Sequence, residues 1–72
     1  MTQRISIGDT VEWDWGTGTA QGKVTQIYTE KVTKSLQGAE VTRNATDDEP
    51  ALLIKQKDGA EVLKSTTEVR ET

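Results

Sequence analysis

The segment Gly8-Asp9-Thr10-Val11-Glu12-Trp13-Asp14-Trp15 constrains this chain more than any other. Val11, Trp13 and Trp15 share one face of a period-2 strand, and Glu12 and Asp14 share the other. Gly8-Asp9 is a turn pair that admits the chain sharply into that strand. An opening strand of this kind, carrying both tryptophans, predicts a small antiparallel β domain. It points to a fold and to no reaction.

The rest of the composition narrows the choice. The chain has 72 residues, enough for one domain. It has no cysteine and no histidine, which excludes disulfide staples and the usual Cys/His zinc site. Hydrophobic residues make up 32% and there is no phenylalanine, so the tryptophans must carry much of the core. Nine basic and twelve acidic residues leave a net charge of −3, which argues against a general phosphate-backbone binder. No leader-like segment and no long apolar run is present, so the expected location is cytoplasmic, with no membrane contact. Asn44-Ala45-Thr46 then reads as a chance glycosylation match.

Threonine and valine dominate, and no long window repeats apolar residues at helical spacing. Residues 1–6 read as a tail and 7–70 as a single domain. The first strand covers about 9–15, followed by the loop Gly16-Thr17-Gly18-Thr19. The second covers about 20–29, with Gly22, Val24 and Tyr28 on one face. Ile27 breaks that parity, so a β-bulge near Thr25-Gln26 is expected to return it inward. Residues 31–43 form two polar β arms around Gln37-Gly38, a hairpin expected to project or to form an exposed edge. Pro50 opens the most apolar strand, Ala51 to Gln56. Lys57-Asp58-Gly59 turns it into Glu61 to Lys64. A two-residue Asp-Gly turn would pair Ile54 with Leu63, and a three-residue turn with Gly59 as a bulge would pair Ile54 with Val62. The second is preferred, because Lys64 then needs only its stem inside. Ser65-x-x-Glu68 reads as a capping box on one helical turn near 65–68. Val69 joins a last short strand. The expected fold class is therefore all-β: a small SH3-like five-stranded barrel with a long projecting hairpin. An OB-fold is the nearest rival.

The ordered set of features is more specific than any one of them. Gly8-Asp9-x-Val11-x-Trp13, Gly22-x-Val24 and Thr29-Glu30-Lys31-Val32-Thr33 are followed by Gly38-x-x-Val41-Thr42-Arg43-Asn44. Then come Pro50-Ala51-x-x-Ile54, Asp58-Gly59 and Val62-Leu63-Lys64. Over roughly residues 7–70 this pattern resembles the hypervirulence-associated tudor-type domain, a family of small proteins found mostly in bacteria and also in fungi. The resemblance implies a tudor-like, SH3-type barrel.

Three groups of residues compete for a role. Trp13 and Trp15 with Tyr28 supply the only rings for an aromatic cage around a methylated cation. Trp13 sits mid-strand where core packing claims it. That leaves Trp15 and Tyr28 as the ligand-binding candidates on a shallow aromatic surface. Lys23, Lys31, Lys34 and Arg43 form a candidate basic patch for nucleic acid, against a plainer reading as solubilising charge. Asp47-Asp48-Glu49 lacks the ligand spacing of a calcium loop, so no metal site is expected. No cofactor or catalytic residue is expected either, because the usual base and the thiol nucleophile are absent. The leading reading is a non-catalytic module that binds a peptide or protein partner, through the aromatic surface or by strand addition to the hairpin edge. An RNA- or DNA-binding barrel is the alternative. Monomer and weak homodimer are both compatible with it.

Overall fold

The alternation around the tryptophans does form the opening strand, in a computed structural model that describes residues 5–36 and 38–71. Strand β1, Thr10–Trp15, buries Val11 and Trp13 and exposes its other side chains to differing degrees. It pairs with β2, Gly18–Tyr28, so that Val11 faces Gly22 and Trp13 faces Ala20. The entry turn is tied down by two bonds beyond the ladder. The Gly8 amide donates to the Val24 carbonyl at 2.8 Å, and the Val24 amide donates to the Asp9 carbonyl at 2.9 Å. Ile5, expected in a tail, packs half-buried against the core; residues 1–4 lie outside the described residues.

β2 pairs on its other side with β5, Ala51–Lys55, and the register shifts between Val24 and Gln26. The predicted bulge is therefore present. It brings Ile27 opposite Leu52 and against the core. β5 turns into β6, Glu61–Ser65, with Ile54 opposite Val62, the register of a three-residue turn. Gly59 holds φ at +91°, and the Gln56 and Ala60 backbones bond at 2.7 Å across the turn. A 3₁₀ turn, Thr66–Glu68, leads through Val69 to the two-residue strand β7, Arg70–Glu71, which returns to β1. Arg70 bridges Glu12 at 2.9 Å and Asp14 at 3.2 Å and so fastens that short strand.

The class is all-β, as expected, but the ladder is open. Its order is β6-β5-β2-β1-β7, and among the described residues β6 and β7 do not pair to close a barrel. Two strands form a separate sheet: β3, Val32–Leu36, and β4, Ala39–Arg43. Gly38, at φ +80°, turns between them, beside Gln37, which lies outside the described residues.

This hairpin does not simply project. Its Val32, Lys34, Leu36, Val41 and Arg43 share one half-buried face, and both strands lie against β6. The reason is the two-sided burial of β5: Leu52 and Ile54 serve the main core, while Leu53 and Leu63 are buried on the opposite face. Apolar side chains on that second face need a cover, and the hairpin's alternate residues supply it.

A polar clasp holds hairpin and sheet together. The Glu68 carboxylate takes the Arg43 guanidinium at 2.9 Å and the Ser65 amide at 2.8 Å, completing the capping box expected from Ser65-x-x-Glu68. Partial burial pushes the Glu68 carboxyl up. The Ser65 amide, the bond and charge of Arg43, and the charge of Lys64 outweigh that effect and hold it below its ordinary value of 4.5. A carboxyl depressed by folding stabilises the fold fully above its unfolded pKa. That contribution fades as pH falls through the folded value. Thermal melts between about pH 6 and pH 3 should therefore show a smaller loss of Tm for Glu68→Gln than for the parent chain. Equal slopes would remove Glu68 from the acid response.

Candidate binding site

Trp15 is the exposed aromatic of this molecule, 73% accessible where Trp13 is only 3%. Both have the same parity on β1, so position along the strand makes the difference. Trp13 packs against Val11, Val24, Leu52, Ile54 and Val69, and the Lys64 ammonium stands 6.0 Å over its ring. Trp15 faces Gly18, which has no side chain, and β7 pairs only with Val11 and Glu12. The far end of β1 thus has no neighbour to cover an indole.

Trp15 lines an open groove of about 1260 Å³. Leu36, Ala39 and Val41 of the hairpin line it together with Val62 and Leu63 of β6. Five cations also line it: Lys23, Lys55, Lys57, Lys64 and Arg43, against the carboxylates of Asp58 and Glu61. In a chain whose acids outnumber its bases twelve to nine, that local balance is inverted.

β6 contributes backbone as well as side chains. The bonds Gln56 to Ala60 and Thr66 to Pro50 set the alternation of this ladder. They direct the amides and carbonyls of Glu61, Leu63 and Ser65 away from β5. Glu68 takes the Ser65 amide. Among the described residues no strand pairs with this edge of β6.

The structure separates the other candidates. Tyr28 lies opposite Ala51 at the far end of β2 from the Gly18 that faces Trp15. On the order of 30 Å of strand runs between them. The two rings therefore do not share a surface. Tyr28 and Lys31 line a second, shallow depression, and the Lys34 ammonium stands 5.1 Å from the centre of the Tyr28 ring. Arg43 is engaged by Glu68. Of the four expected basic residues, only Lys23 and Arg43 border the groove, and Lys31 and Lys34 do not. Lys55 and Lys57 were not singled out by sequence. The signal for Lys55 was the register of β2 on β5, which sets it opposite Lys23.

The acidic loop closes on itself, with the Thr46 hydroxyl accepting the Glu49 amide at 3.1 Å. No group of three or more acidic side chains is gathered to hold a metal ion among the described residues. No helix there is long and apolar enough to cross a membrane.

These features define a small antiparallel β domain with an inserted hairpin and an aromatic-tipped groove. The chain matches the family model of the hypervirulence associated proteins TUDOR domain over residues 8–69, and it belongs to that family. No curated protein and no solved structure matches it.

Proposed function

We propose that this protein is a non-catalytic interaction module that docks an extended segment of a partner protein in the Trp15 groove. The observation that carries this reading is the exposed Trp15 indole lining the same groove as Glu61 and Leu63 of β6, a strand whose outer edge is unpaired among the described residues. A large ring held on a strand and left uncovered gives binding area at little conformational cost. The outward backbone groups of Glu61 and Leu63 offer an extended peptide the main-chain partners that strand addition requires. Membership of a tudor-type family supports an interaction role. The connectivity supports an SH3-like barrel architecture: a four-stranded meander, a 3₁₀ turn, then a fifth strand returning to the first. The absence of histidine and cysteine from the sequence weighs against chemistry.

The test uses fluorescein-labelled peptides of about ten residues, β-prone at alternate positions, with glutamate, glutamine or lysine between. At least one should bind in an anisotropy titration. Trp15→Ala should weaken it by about 1–2 kcal/mol and change unfolding stability by less than about 0.5 kcal/mol, since the ring buries little in the free protein. Equal binding by Trp15→Ala, or no binding by any of the three, would overturn the reading.

A further inference from the structure

We infer that the segment taken by the groove is acidic, its carboxylates meeting Lys23, Lys55 and Lys57; this rests on the docking reading above. Some of the cations are held by carboxylates, although among the described residues Lys31 and Lys34 outside the groove are not. Arg43 and Lys64 meet Glu68, and Arg70 meets Glu12 and Asp14. Lys23, Lys55 and Lys57 form no ion pair among the described residues, although the chain has acids in excess. Lys23 and Lys55 are moreover direct cross-strand partners on β2 and β5. Like charges in that relation repel and destabilise a sheet. Glu61 is the direct cross-strand partner of Lys55 on β6, without an ion-pair contact to it, and Asp58 is occupied by the Ala60 amide at 3.0 Å. Neither neutralises the lysine pair with a contact of its own.

Lysines that line a groove without an ion pair of their own are suited to a ligand of opposite charge. A peptide fits better than a nucleic acid strand. A polyanion needs a continuous basic track along several nucleotides. Here Lys23 and Lys55 adjoin the row of Glu12 and Asp14 on the same face of the sheet, Lys57 follows in the turn after β5, and Lys31 and Lys34 lie outside the groove. An alternating acidic peptide can place carboxylates on the lysines and its backbone on the β6 edge at once.

The experiment compares the glutamate, glutamine and lysine peptides with a ten-nucleotide oligothymidine, on the full chain and on Lys23→Glu and Lys55→Gln. The glutamate peptide should bind at least about tenfold more tightly than the glutamine peptide, and high salt should erase the difference. Lys23→Glu should lose about tenfold in affinity for it while melting no lower than the parent, because a glutamate there faces Lys55 with opposite charge. Lys55→Gln, which introduces no new charge, should lose affinity in the same direction. Glutamine and glutamate peptides of equal affinity would overturn the acid preference and leave the docking reading standing. No peptide binding at all would remove both. Tighter, salt-dependent binding of the oligothymidine than of the glutamate peptide would replace the inference with nucleic-acid recognition.

Discussion

Trp13→Ala should remove a large share of this chain's stability. A domain of this length is stable by about 4–11 kcal/mol at typical values per residue. Deleting a buried tryptophan to alanine removes about 3–5 kcal/mol. Several features place Trp13 at the upper end. The side chain is almost fully buried in a core cluster that joins β1, β2, β5 and Val69 of the return. The neighbours are Val, Leu and Ile, and the sequence contains no phenylalanine to refill the space. No disulfide limits the unfolded chain. Urea unfolding followed by circular dichroism checks this, with Trp13→Phe as an intermediate and Trp15→Ala as the exposed counterpart. A loss below about 1 kcal/mol for Trp13→Ala would show that the core does not depend on the indole.

Gly22→Ala should be the most damaging single-methyl change in the chain. A Cβ at Gly22 would press on the Ile54 side chain and come within 2.9 Å of the Lys55 carbonyl oxygen. The oxygen belongs to the β5 backbone, so it cannot move without disturbing the β2–β5 ladder. Gly22 is not in the left-handed region, and a Gly→Ala change at a compatible strand position gains about 0.4–1 kcal/mol through the unfolded state. Overpacking costs about 1–3 kcal/mol and wins. Gly18→Ala is the control on the same strand, because a Cβ there meets nothing within 4 Å. The expected order of urea midpoints is Gly18→Ala at or above the parent and Gly22→Ala well below it. A neutral Gly22→Ala would mean that β2 and β5 do not approach so closely.

Much of this architecture is legible in the residues because local chemistry decides it. The odd parity of Ile27 demanded a bulge after Val24, and a bulge is there. Asp58-Gly59 and the preference for burying only the stem of Lys64 selected the pairing of Ile54 with Val62. Ser65 and Glu68 form their capping box within four residues. The misreadings are long-range. The alternation of Val32, Lys34 and Leu36 is too weakly apolar to reveal that the hairpin lies against β6. The second face of β5 and β6 became visible only when Leu53 and Leu63 were seen to be buried alongside Leu52 and Ile54. Closure of a barrel depends on how β6 and β7 meet, which no local pattern encodes.

The candidate site divides in the same way. The tension between a core Trp13 and an exposed Trp15 is readable from the Gly16-Thr17-Gly18 loop beside Trp15. Grouping Trp15 with Tyr28 rests on exposure alone and overlooks that, in strands joined by the 16–19 loop, Trp15 sits at the loop end and Tyr28 at the opposite end. The lysine cluster is not readable: Lys23 and Lys55 lie 32 positions apart in sequence and meet through the register of β2 and β5.

The most direct test of the docking account is an amide shift map of the labelled protein with the glutamate peptide at saturation. The account predicts the largest shifts at the Glu61 and Leu63 amides and the Trp15 indole, with the Tyr28 depression unmoved. Shifts centred on Tyr28 and Lys31, or confined to the outer edges of the hairpin around Thr33 and Thr42, would contradict it.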